Sequence, residues 1–489
     1  MILAVGAAYF VICAAIGWWA ARRTRTTETF FVADRAIGVL PFAIAAMATT
    51  LSGFTFIGGP GLVYAQGLTA LFISLPAGLT NTFGALVIGA RMRRLGARRR
   101  LLTVPDAIGA RYRSPAAQGW SAVAVLVGVV GYLGTNILAL GIVVDALFGV
   151  GLGPGSWIGA VVLLAYAAGG GILAGIWTDV FQGTLMAIVS MLVFAAALAS
   201  GGGLAGIART LQGVDPTLLG PWGTRGPMAA LSLFFVFAVG SLGQPHLAHK
   251  YYMLRDLRRL RWYPLLLTAA MTMALLLFFG VGFAVRALVG RGALPPLAAP
   301  DEATPRFLLG HVPPVIAALA FAGVAAAIMS TVSSFLSIGA AAIVHDLPRA
   351  LGRGRGDDDA RTLRAGRVWT VVLCVLGAAL AQGAGTLVAF LGIFGYGLFA
   401  STLVPALVIG LTWEGATREG AIASIVTGLV LTLGLETAAF LRLLTLPVGV
   451  TVTGLALVTS CLVFLGVSWV TRSRAAGQLD DDVRAIVRG

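Results

Sequence analysis

Charge is what this chain has least of. Only 11% of its 489 residues are charged, where a soluble globular domain carries roughly 25%, so a water-facing surface around a buried core is excluded. Cysteine is nearly absent. Cys13, Cys374 and Cys461 each sit inside an apolar stretch and read as small buried hydrophobes, with no spacing that suits a disulfide framework or a metal. The four histidines, His246, His249, His311 and His345, fit no zinc motif. Lysine occurs once, at position 250, and every other basic side chain is arginine. Polar stretches long enough to bury a core of their own are missing too. The longest, near 201–227, 290–312 and 346–366, read as loops, which excludes a fused kinase or nucleotide-binding domain. Gly149, Gly151, Gly153 and Gly155 join two apolar runs instead of following a strand, so they form a turn and no dinucleotide fingerprint.

What the chain has is apolar length. Hydrophobic residues make up 58% of it, and its mean hydropathy is +0.93. A membrane-spanning helix needs about 20 apolar residues. On that criterion about thirteen runs qualify, near 2–21, 36–60, 66–90, 117–148, 155–173, 175–200, 228–248, 263–289, 313–345, 367–384, 386–412, 418–440 and 446–470. The pair at 155–200 is divided only by Gly169, Gly170 and Gly171. The fold class expected is therefore an all-α integral membrane protein. The first run has no basic residues before it, and Arg22 and Arg23 follow it, which marks a retained helix with its N-terminus outside and not a signal peptide.

The net charge of +15 invites a nucleic-acid partner, but the arginines cluster between apolar runs, as in cytoplasmic loops. Threading thirteen spans from an outside N-terminus puts 28 basic residues inside and 6 outside. The inside set includes the Arg91–Arg113 cluster, Lys250 through Arg261, Arg349 through Arg367 and the tail from Arg472 to Arg488. The expectation is an N-terminus outside, a cytoplasmic C-terminus and no nucleic-acid partner. Heavy use of Ala, Gly and Arg points to a GC-rich bacterium, and so to the bacterial inner membrane. The acidic runs Asp357 to Asp359 and Asp480 to Asp482 read as solvated charge.

Two runs are interrupted. One carries Ser52, Gly53, Gly58, Gly59 and Pro60, the other Gly240, Ser241, Gly243, Gln244 and Pro245. Backbone left unpaired at membrane depth is tolerated only where protein or a cavity satisfies it, and broken helices five spans apart point to an inverted repeat around a central site. Gly and Pro alone would equally mark packing or kinks. The ninth run adds Ser330, Thr331, Ser333 and Ser334, four hydroxyls within five positions. Back-bonding to the preceding turn is the plain explanation; a site for a hard monovalent cation, built from hydroxyls and freed carbonyls, is the functional one.

Taken in order, several stretches resemble the sodium:solute symporter family, which includes bacterial proline, pantothenate, sialic acid and galactose transporters. They are Ser52–Gly61, Thr103–Asp106 with Arg111 and Tyr112, Trp177–Gln182, Gly243–His246 and Ala326–Thr331. The resemblance implies a LeuT-type core of two inverted five-helix repeats. The N-terminal helix would be 1–27, the core 28–415 with repeats at about 36–200 and 228–412, two further helices would lie in 416–471, and a cytoplasmic tail would follow at 472–489. It also implies a principal sodium site from the carbonyls of Ala48, Leu51 and Ala327 and the hydroxyls of Ser330 and Thr331. A second sodium would take Asp179, Ser330, Ser333 and Ser334. Asp179 carries weight by itself, because a carboxylate in a membrane helix costs roughly 2.5–3.5 kcal/mol on insertion scales; its plainer reading is a hydrated helix end. Asp145 and Glu436 read as helix-end charges.

The expected solute pocket is lined by Ser52, Phe54, Tyr132, Phe237, Ser241 and Gln244, with Tyr396 beside them. Thr50, Phe54, Phe237 and Ser241 depart from the proline-type members, which have Asp, Trp, Trp and Tyr there, so proline itself is disfavoured. No basic side chain is expected at pocket depth, which leaves monocarboxylates, zwitterions and neutral polar molecules. The function expected is sodium-coupled import of a small organic solute by alternating access, with sodium as coupling ion and no enzymatic cofactor. The rivals are a proton-coupled or uncoupled carrier of the same fold, a membrane sensor, and an enzyme. The sensor lacks an output domain, and the enzyme lacks a nucleophile–base or metal constellation.

Overall fold

The structure is a computed structural model that describes residues 1–22, 36–167, 172–353, 359–383, 388–447 and 449–488. The glycine break at 169–171, Arg23, Arg25, Arg35, Arg355 and the acidic positions 357 and 358 lie outside the described residues. Within them the chain is almost wholly helical, with one isolated bridge between Ile37 and Leu254. Among the described residues, eleven helices are long and apolar enough to cross a membrane, and two shorter apolar helices lie at Val39–Thr50 and Leu152–Ala165.

The expected runs fall on these elements, but the fifth and the first half of the second reach only the two shorter apolar helices, so the count of thirteen spans does not carry over. The second is split, and its latter half runs on into the third as Phe54–Arg99, a 46-residue helical stretch. At 1.5 Å per residue a straight helix of that length would reach about 70 Å, over twice the hydrocarbon thickness. It bends at Gly67, where φ is +58°, a value open to glycine without penalty. A Cβ there would also meet the Leu218 carbonyl.

The helices sort by burial. Pro115–Phe148, Pro314–Ala350 and Val388–Ile409 have 78%, 78% and 83% of their most apolar windows buried, against 11% for Ile2–Trp19. The first three form the centre and the N-terminal helix is peripheral. Ile172–Gly201 packs on both Tyr263–Gly290 and Pro314–Ala341, so the polar residues of the central helices face protein, where buried hydrogen-bonding groups find partners.

One end of the bundle is rich in arginine, and there two expectations need correcting. Arg111 is buried, not a loop charge: its Nε donates to the Gly410 carbonyl at 2.5 Å and its Nη2 to that of Trp413 at 2.8 Å. Carbonyls at the frayed end of the Val404–Ile409 turn lack helical donors, and a guanidinium supplies several. The tail is docked, not free. Arg99 pairs with Asp480 and Asp482, Arg113 with Asp480, and Arg488 with Glu414.

Candidate ion and solute sites at the broken helices

The first break frees a row of carbonyls. Val39–Thr50 ends with Leu51 in an extended conformation, so the N–H groups four residues on turn elsewhere. Ser52 N donates to Thr55 Oγ1 at 3.4 Å, Gly53 N to Asn136 Oδ1 at 3.0 Å, Phe54 N to Ser52 Oγ at 3.2 Å, and Thr55 N to the Ser52 carbonyl at 2.9 Å. Ala48, Thr49 and Leu51 are thereby left without helical donors to their carbonyls. Asn136 is the only amide side chain in the apolar run from 119 to 148, and it holds the break open. Gly53 permits this close approach, because a Cβ there would stand 2.6 Å from that of Ala139.

Ser330 and Thr331 face the freed carbonyls. Ser330 Oγ lies 2.7 Å from the Ala48 carbonyl oxygen and 3.1 Å from that of Ala327. Thr331 Oγ1 lies 3.3, 3.2 and 3.0 Å from those of Thr49, Leu51 and Ala327. Two hydroxyls carry one proton each, and four carbonyl oxygens compete for those two protons. All five residues expected at the principal ion site are brought together, each no more than 2% exposed, and the Thr49 carbonyl joins them. The cluster has oxygen lone pairs to spare and no full charge, which is the donor set of a weakly held hard cation.

A second group lies toward the arginine-rich end. A cavity of about 40 Å³ is lined by Asp179, Ser333 and Ser334, together with His246, His249, Lys250 and Ser337. Three of the four residues expected at the second ion position thus share one cavity. Ser330 stands one turn away and turns its hydroxyl to the first cluster. Lys250, read from sequence as a loop charge, is buried: after the second break the chain resumes as Pro245–Lys250, and this short helix carries the lysine inward. Its Nζ lies 2.9 Å from Asp179 Oδ2, with the two side chains 5% and 2% exposed. Among the described residues, Asp179 Oδ1 has no partner.

The residues expected at the solute pocket fall into two clusters on Val388–Leu403. Phe54 stacks on Phe237 at 6.2 Å and Phe237 on Tyr396 at 4.4 Å. The Tyr396 hydroxyl meets Ser241 Oγ in a short hydrogen bond. Gln244 donates to the Gly240 and Tyr396 carbonyls at 3.1 and 3.2 Å, while its Oε1 is buried without a partner. Ser52 Oγ accepts from Phe54 N at the break. Tyr132 stands apart, stacked on Phe335 at 4.5 Å and Phe399 at 6.0 Å; Gly392 lies against Phe54 and Gly395 against Tyr132, so one helix carries both clusters. Thr50 back-bonds to Ala46 at 2.7 Å, and Asp145 caps a turn through Gly151 N at 2.7 Å.

Similarity to known proteins follows the same architecture. The sequence model of the sodium:solute symporter family matches residues 30–428. The sodium/pantothenate symporter of Escherichia coli is 29% identical over 434 residues, 87% of this chain and 88% of that one. The high-affinity proline transporter PutP of Bacillus subtilis is 24% identical, covering 84% and 87%. Among solved structures, a Na+-coupled sialic acid symporter in a substrate-bound outward-open state superposes with a TM-score of 0.78 at 18% identity, over 96% of this chain and 97% of that one. A nucleobase-cation-symport-1 family transporter in a closed conformation gives 0.60 at 15% identity, over 95% and 99%.

Proposed function

The chain belongs to the sodium:solute symporter family and is a sodium-coupled symporter of LeuT-type fold; from that premise we propose that it imports a small solute bearing at most one carboxylate, using the Ser330–Thr331 cluster as its principal sodium site. The observation that carries this reading is the crowding of two hydroxyls against four carbonyl oxygens, three of them released by the first helix break. A bound sodium ion satisfies lone pairs that two protons cannot. Asp179, Ser333 and Ser334 form a second sodium position, with Ser330 at its edge.

The core extends over about 28–415, as two inverted repeats at 36–200 and 228–412. Segments 1–27 and 416–471 flank it, and 472–489 is the tail. The arginine-rich end faces the cytoplasm of a bacterial inner membrane, which puts the N-terminus outside. Sodium favours the outward-open arrangement, solute completes it, and both leave at the arginine-rich end. Each sodium ion contributes about 2.3 kcal/mol per 100 mV of membrane potential.

The solute sits between the two breaks. Phe54, Phe237 and Tyr396 form its apolar wall, Tyr132 closes the far side, and Ser52, Ser241 and Gln244 offer hydrogen bonds. The free Gln244 Oε1 suits an N–H or O–H donor on the solute. The lysine is spent on Asp179, so a carboxylate would lie against half-helix N–H groups and the bound sodium. Pantothenate, proline and sialic acid, the solutes of the relatives, each carry one carboxylate, within the limit this site sets. The test is a thermal-shift screen of purified protein against monocarboxylates, amino acids, sugars and vitamins, with and without sodium, followed by uptake in proteoliposomes. Stabilisation by one such solute that requires sodium is expected; stabilisation that ignores sodium counts against the assignment.

A further inference from the structure

We infer that the Lys250 ammonium and a sodium ion are alternative counter-ions of Asp179, so that this symporter carries, on its own chain, a competitor for its second ion. The inference rests on the reading of Asp179, Ser333 and Ser334 as an ion position. It goes further by naming what holds that position when sodium does not.

Three observations lead to it. Lys250 is the only lysine in a chain whose other basic side chains are all arginine, and it is 4% exposed. It bonds the one buried carboxylate of the cavity through a single oxygen, at 2.9 Å, and leaves the other oxygen of Asp179 without a partner. The cavity of about 40 Å³ beside the pair is lined by Ser333, Ser334 and Ser337, hydroxyls suited to a second cation.

Chemistry explains the residue type. A buried carboxylate without a counter-charge is strongly unfavourable, so Asp179 keeps one at every stage. An ammonium is a compact point charge on a flexible stem, whereas a guanidinium would clamp both carboxylate oxygens in a rigid fork. The single-oxygen contact leaves Asp179 Oδ1 for an incoming ion. Sodium and lysine together would leave the site with a net positive charge, so sodium entry drives the ammonium off the carboxylate.

Opposite substitutions separate this from a merely structural ion pair. Lys250→Met removes the competitor, and its affinity for 22Na+ at the second position is expected to rise at least tenfold, with a thermal stability that climbs with sodium but not with potassium. Lys250→Arg holds Asp179 permanently, and one fewer sodium ion is expected to bind per protein. A structural pair predicts the reverse ranking, with Lys250→Arg close to wild type and Lys250→Met unstable in every salt; that result overturns the inference. Should Lys250→Met not fold, the arginine variant alone decides, because undiminished sodium stoichiometry in it refutes the competition. Ser333→Ala with Ser334→Ala tests the underlying reading separately. If that pair lowers sodium stoichiometry and the lysine variants leave sodium binding unchanged, the second position stands and the role of Lys250 falls. If the serine pair also leaves it unchanged, the position itself is refuted.

Discussion

The two ion-site candidates share Pro314–Ala341 and sit about one helical turn apart, yet they are built on opposite principles. The Ser330–Thr331 cluster is neutral and draws on carbonyls that the broken helix cannot use. The Asp179 cavity is charged, and its carboxylate already has a cation 2.9 Å away. The contrast teaches where stability and ion dependence should reside. Removing a hydroxyl from a neutral cluster loses one ligand, whereas removing one charge from a buried pair strands the other.

The largest effect is therefore expected at the charged site. Asp179→Asn leaves the Lys250 ammonium buried without its partner, which costs roughly 3–5 kcal/mol, and thermal unfolding in detergent should show a drop of several degrees or more. Adding Lys250→Met should restore most of the loss. A double variant no more stable than the single one would break the contrast at its root.

Another buried carboxylate sharpens it. Asp301 is 1% exposed and has no cation beside it among the described residues; its Oδ2 accepts from Val388 N at 2.7 Å. Burial raises its pKa to about 6, opposed by that hydrogen bond. A raised carboxyl pKa means that the folded state favours the protonated acid. The penalty is absent below the unfolded value near 3.8, grows as pH rises toward 6 and is complete above it. Asp301→Asn should therefore stabilise the protein at pH 7.5, by on the order of 3 kcal/mol, and flatten the thermal stability profile between pH 4 and 6. An unchanged profile would put the titration elsewhere.

Smaller changes belong to the neutral cluster. Ser330→Ala and Thr331→Ala should each raise the sodium concentration for half-maximal uptake about tenfold, the worth of one hydrogen-bonding oxygen, with little loss of stability. Sodium dependence unaltered in both would remove the cluster from ion binding. Smallest is the pocket, where Gln244→Ala and Tyr132→Ala should weaken solute affinity several-fold and leave sodium affinity nearly intact. Equal loss of both would make these residues structural.

The bundle was legible because apolar length is a one-dimensional signal: the runs at 117–148, 313–345 and 418–440 each reappear as one helix. The break at Ser52–Gly53 was readable from its glycines and hydroxyls. Its geometry was not, because Asn136 supports it from 83 positions away. Lys250 was misread for a related reason. A basic residue just before an arginine cluster looks like loop charge, and only the second break and the three-dimensional approach of Asp179 turn it inward. Its uniqueness in the composition was the available clue. The tail aspartates were likewise read as free, since their partners Arg99 and Arg113 lie more than 360 positions earlier.

The docked tail has a practical consequence. Arg99 with Asp480 and Asp482, Arg113 with Asp480, and Arg488 with Glu414 staple the chain's end to the arginine-rich stretch up to Arg113 and to the turn at Glu414 through solvent-exposed pairs. Each such pair is worth about 0–1 kcal/mol, and each is screened over roughly 8 Å at physiological salt. The staple is a soft clamp whose grip follows ionic strength, whichever cation supplies it. Adding sodium chloride to this protein therefore does two things at once: it offers sodium to the proposed ion sites deep in the bundle, and it loosens the tail at the rim. A sodium titration separates them only when choline or potassium holds the total salt constant.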